Sequence, residues 1–158
     1  MKDSGIVNAL GRQTGATTGW RVRFAWLARE SATADPADAA ALLRLAAKLL
    51  VDVPLDWRAM IAQPIDEPGF EALLAADGAD AAALVLLGDW AGYMLSHGPG
   101  GRHLATVVIE GRSAEASAEG ESAALALLGA LASAISGEDP GEGRKAIPAV
   151  RDHGVRLN

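Results

Sequence analysis

The chain of 158 residues contains no cysteine. Disulfides, thiolate nucleophiles and cysteine-ligated zinc are excluded together. Aromatic residues make up only 4% of it, so core bulk must come from a few side chains: Trp20, Trp26, Trp57, Trp90, Phe24, Phe70 and Tyr93. No apolar run approaches the ~20 residues that cross a bilayer. The start of the chain makes a poor secretory signal, because Lys2 and Asp3 precede only a very short apolar patch. Positive charge is scarce in the middle: residues 51–100 carry one Lys/Arg against eight Asp/Glu. These absences predict a soluble cytoplasmic protein with no membrane partner and no cofactor.

What is present is alanine and leucine in quantity, within a composition that is 50% hydrophobic. Such a chain is globular, and its small side chains require helices that approach closely. Net charge is −6 overall, but residues 1–50 carry seven basic against four acidic side chains. Any anion-binding face therefore belongs to the first fifty residues, since phosphate binding rests on Lys/Arg.

Four regions are predicted. Residues 1–19, with glycines at 5, 11, 15 and 19, read as a flexible arm. Residues 20–78 read as helical. Trp20–Glu30 alternates as a strand would at Trp20, Val22, Phe24 and Trp26, but its later residues favour a helix capped by Thr18. Asp35-Pro36 opens a second over Ala39–Val51, with Leu42, Leu45, Leu49 and Leu50 mainly along one face. Shorter helices follow over Asp56–Gln63 and Glu67–Ala76. Residues 79–136 read as an α-β-β-β-α unit. Asp80 caps a helix that runs to Gly88, and from Asp89 the period changes from 3.6 to 2. Leu104–Gly111 and Ser113–Ala118 are two further strands, and Glu121-Ser122 opens a helix with Leu125, Leu128, Leu131 and Ile135 on one stripe. Residues 137–158 read as a mobile tail. The fold class is α+β: a helical N-terminal half, then helix, three-stranded antiparallel sheet, helix.

Three groups of residues invite a chemical reading. Arg21, Arg23, Arg29, Arg44 and Lys48 are interleaved with Trp20, Phe24 and Trp26, combining cations for phosphate with rings for base stacking. The competing reading puts the rings in the core and leaves the arginines as a solvated edge. His97 and His103 bracket Gly98-Pro99-Gly100-Gly101, and with Asp89 they offer a metal or anion site; otherwise they are a solvated hairpin tip. The glycine-rich stretch from Gly11 to Gly19 lacks the Gly-Lys-Ser/Thr ending of a phosphate loop and the strand before it. The many carboxylates fall in no spacing for paired acid–base catalysis or a calcium loop, and neither Gly-x-Ser-x-Gly nor His-Glu-x-x-His occurs.

Three stretches carry a likeness to known folds: Val107-Val108-Ile109-Glu110-Gly111, then Ala116 to Ser122, then the helix from Ala123 to Ala134. Their order resembles a double-stranded-RNA-binding domain, and is similar to the α-β-α sandwich domain of small phage proteins. The resemblance implies a scaffold. RNA-binding members carry paired lysines at the start of the last helix, where this chain has Ser122-Ala123-Ala124 flanked by Glu119 and Glu121. Carboxylates there repel phosphate.

The expectation is a non-enzymatic bacterial or phage-type protein that binds a protein partner or itself, since a three-stranded layer has two edges and one can accept a strand. Nucleic-acid binding through residues 20–48 is the alternative, and metal or ligand binding at the His97–His103 hairpin a further one.

Overall fold

The computed structural model describes residues 15–61, 65–112 and 114–137. Within them the architecture is α+β. Helices α1 (Gly15–Thr33), α2 (Ala39–Val51), α3 (Leu55–Met60), α4 (Glu67–Ala75) and α5 (Ala79–Leu87) precede strands β1 (Ala91–His97), β2 (His103–Ile109) and β3 (Ala114–Gly120), and α6 (Ala123–Ser136) follows. The sheet is an antiparallel meander in the order β1-β2-β3. Its register pairs Ala91 with Ile109 and His97 with His103, then His103 with Gly120 and Ile109 with Ala114.

The N-terminal helix is longer than the sequence suggests. It starts at Gly15, so Thr18 lies inside it and does not cap it. The rest of the expected arm, residues 1–14, and the tail beyond Gly137 lie outside the described residues. Asp35 does act as a cap, accepting from Ala37 N at 2.9 Å, but the element it caps is a 3-10 turn over Pro36–Asp38 that leads into α2. On α2 the buried stripe is Ala39, Leu43, Ala46, Leu49 and Leu50. Leu42 and Leu45 flank it half-buried, because alanine marks the line of closest helix approach. The first strand begins at Ala91, and Asp89 falls in the turn before it.

Helix α6 is the centre of the molecule. All of its residues are buried, which requires a sequence apolar all round, as AALALLGALASAIS is. Ser122 caps its start, accepting from Leu125 N at 3.2 Å. The Asp80 carboxylate also serves this helix and not its own, accepting from Ala124 N at 2.9 Å. Gly137 closes α6 in the left-handed conformation, φ 71°. Gly129 lets α1 cross and β3 pass beneath: an added Cβ would stand 3.1 Å from Ala118 Cβ and 3.5 Å from Ser31 Cβ.

One contiguous core results. Trp20, Phe24 and Leu27 from α1, Leu43 and Leu50 from α2, Trp57 from α3, Phe70 from α4 and Leu86 from α5 join Val107, Ile109 and the α6 leucines in it. The helical region therefore packs against the sheet unit in a shared interior.

Candidate interaction surface

The pleat of the sheet separates two faces. Ala105, Val107 and Ile109 of β2 are buried, as is Ala116 of β3, while Leu104 and Val108 are exposed between them. Inward residues meet α6, which lies over β3 and β2 and barely touches β1. Two consequences follow. The outward face carries Met94, Leu104 and Val108 at 72%, 42% and 40% exposure, around the Thr106–Ser117 hydroxyl pair at 2.7 Å. On the inward side, Tyr93 and Leu95 of β1 extend past the helix and stay exposed.

Met94 stands opposite Thr106, and Leu104 and Val108 are its diagonal neighbours two residues either side. Together they form an apolar patch on an otherwise polar surface. Along β3 the same face turns acidic, with Glu115 and Glu119 flanking Ser117. Alternation along β1 separates two faces without showing which of them is covered. The signal was the alternation of β3, where alanines 114, 116 and 118 mark the helix side and fix the outward set across the sheet.

The hairpin that presents this surface is held by arginines. Arg102 pairs with Glu121, lies 3.7 Å from Glu119 and donates to Ala32 O at 3.2 Å, joining the β1–β2 turn to β3 and the end of α1. Arg112 pairs with Asp56 and stacks 4.2 Å over the Trp57 ring, fixing the β2–β3 turn on α3.

His97 and His103 do meet, directly across the strands with ring centroids 4.7 Å apart. Asp89 does not join them. It precedes the opposite end of β1, about 20 Å away by the rise of a strand, too far to share a metal with the two imidazoles. Among the described residues no three of His, Cys, Asp and Glu gather as a metal-binding set.

The basic–aromatic group is dispersed by its partners. Trp20 and Phe24 are core residues packed edge to face, and of the three rings only Trp26 reaches the surface. Arg21 donates to Ile135 O and Ser136 O, each at 3.4 Å, which complements the carbonyl end of α6, and its guanidinium stacks 4.7 Å from the Trp20 ring. Arg23 lies 3.8 Å from Asp52. Arg44 grips Glu71 with two nitrogens, each 2.9 Å from a carboxylate oxygen. Arg29 and Lys48 lie on exposed helix faces. An open groove of about 900 Å³ lies beside α2 and α4, lined by Leu50, Ile61, Phe70, Arg44, Arg58 and Glu71. Among its charged groups, Arg44 is paired with Glu71, and Arg58 Nε donates to Val53 O at 3.1 Å.

The hydrogen bonds from Arg44 hold the Glu71 carboxyl below its ordinary value, and those from Arg112 do the same for Asp56. A depressed carboxylate contributes stability above its unfolded-state pKa and loses it as pH falls through the folded-state value. Both pairs are solvent-exposed, so the contribution is small. Thermal melts should show the midpoint falling on acidification through the carboxylate range, and Glu71→Gln should shallow that slope. An unchanged slope would mean the pair does not persist in solution.

Comparison with known proteins finds no matching family model, no matching curated protein and no matching solved structure.

Proposed function

We propose that the protein is a non-enzymatic binding module that receives another protein chain on the face and the β1 edge of its sheet that the described residues leave open. The observation that carries this reading is the contiguous exposure of Met94, Leu104 and Val108 on a sheet face that no described element covers. Exposed apolar side chains grouped in this way mark interaction surfaces. The absence of cysteine suits a reducing cytoplasm, where we place the interaction. The order α5-β1-β2-β3-α6 supports kinship with the double-stranded-RNA-binding scaffold without its ligand. Glu119 and Glu121 stand where phosphate would approach, and both already face Arg102.

Self-association is the simplest form of the activity. Light scattering across a concentration series should show mass rising above the monomer. Because each copy carries a net charge of −6, added salt should strengthen the association by screening repulsion. Binding to nucleic acid would show the opposite sign, weakening with salt. A clean monomer at high concentration, at low and high salt alike, would overturn self-association.

A further inference from the structure

The two edges of the sheet are built differently. On β3, Glu115 and Glu119 put charge beside the edge, and α1 packs against the strand. Inward-covered, charged edges resist strand addition. On β1 the sequence AGYMLSH contains no Lys, Arg, Asp or Glu, and Tyr93, Met94 and Leu95 are exposed on both sides of the pleat.

The hydrogen-bonding groups of β1 are also set for a partner. At one end of the β1–β2 ladder Glu110 N donates to Trp90 O, and at the other Gly98 N donates to Arg102 O. Bonded and non-bonded pairs alternate along an antiparallel ladder, so the even-numbered residues from Trp90 to Gly98 face β2. The N–H and C=O groups of Ala91, Tyr93, Leu95 and His97 point out of the sheet.

We propose that two copies of the chain pair antiparallel through β1, with Met94 of each at a two-fold axis, joining two three-stranded sheets into one of six strands. This deepens the binding-module reading and rests on it. The register follows from three conditions. Outward-pointing groups must meet outward-pointing groups, side chains must keep their faces, and the overlap must be as long as the strand allows. Only a centre at Met94 satisfies all three over Ala91–His97. It sets Tyr93 against Leu95 of the second copy on the helix side, where α6 leaves both uncovered, and Ala91 against His97. On the open side Met94 meets its own symmetry mate and Gly92 meets Ser96. No charge of either copy faces a like charge within the pairing, although the chain as a whole is acidic. Closed two-fold pairing of one self-complementary patch is the commonest form of homo-oligomer.

A cysteine-free chain allows the register to be trapped directly. In a non-hydrogen-bonded antiparallel pair the Cα atoms stand ~4.5 Å apart, within the ~4.4–6.8 Å that a disulfide spans. Met94→Cys should therefore cross-link to a covalent dimer under mild oxidation. Ser96→Cys alone should cross-link roughly tenfold more slowly, since its symmetry mate lies out of disulfide reach. Mixing Gly92→Cys with Ser96→Cys should restore rapid cross-linking. Leu95→Lys should return the light-scattering mass to monomer while leaving the thermal midpoint at high dilution unchanged.

A dimer that Met94→Cys does not trap faster than Ser96→Cys would overturn the β1 pairing and leave the broader binding reading standing. A monomer under all conditions would overturn both the pairing and self-association. A monomer whose Tyr93 and Leu95 amides resist hydrogen exchange would assign the edge to a segment of the same chain, and would likewise overturn the pairing.

Discussion

Gly120→Ala is expected to destabilise the protein by about 3 kcal/mol, the upper end of what overpacking a filled site costs. The added Cβ would stand 2.6 Å from Ala126 N and 2.9 Å from the carbonyl carbon of Leu125. Both are backbone atoms in the first turns of α6, where Ser122 and Asp80 already hold the helix by its N–H groups. No side chain can rotate away to make room. Either the end of β3 lifts or α6 shifts, and both movements open the contact along Ala116 and Ala118. Chemical denaturation followed by circular dichroism measures the effect. Gly92→Ala is the matched control, since a Cβ there meets nothing within 4 Å, and it should change stability by less than about 0.5 kcal/mol. Equal midpoints for the two variants would show that β3 and α6 do not approach as described.

Phe24→Ala is expected to cost about 3–5 kcal/mol, as for other buried aromatic truncations. Phe24 is 1% exposed, packs edge to face on Trp20 and lies in the core that continues to Ile135. In a chain of this size the loss should lower the melting midpoint by roughly 10 °C. The more telling readout is the shape of the transition. With one shared core, tryptophan fluorescence and far-ultraviolet circular dichroism should move together in a single step. If only part of the signal shifted, leaving a second transition at the wild-type midpoint, the helical half would be an independent unit.

Much of this fold was legible in the sequence. The change of period near residue 89, the β-branched run in β2 and the glycines at 98, 101, 111, 120 and 137 located the elements of the second half to within two or three residues. Capping chemistry did the same for α2 through Asp35, whereas the Asp66 carboxylate that accepts from Gly69 N at the start of α4 is seen only in the structure. Proximity along the chain puts Thr18, Asp80 and Asp89 with their nearest elements, but the folded chain decides otherwise: Thr18 is inside a longer helix, Asp80 serves α6, and Asp89 stops short of the strand. The surface was harder to see. Whether Met94 faces water depends on which strands α6 covers, and alternation within one strand fixes two faces without ranking them. For the basic residues the arginines were visible, but not that Ile135, Asp52 and Glu71 would occupy three of them.

The position of α6 in the chain has a consequence for how the protein comes to be folded. The helix that α1, α2, α5 and the sheet all pack against is the last described element to be synthesised. Arg21 contacts a carbonyl 114 residues further on, and such long-range contacts form late because the intervening chain must first be drawn together. At typical rates of translation, α1 waits on the order of ten seconds before α6 exists. During that interval Trp20, Phe24 and Leu27 lack the helix that α1 packs against most extensively. The sheet waits as well, with the inward side of β2 open until the helix closes over it. A nascent chain of this design needs either transient shelter for those side chains or fast collapse once α6 is released. Truncated products ending before Ala123 should accordingly be the aggregating species in any preparation.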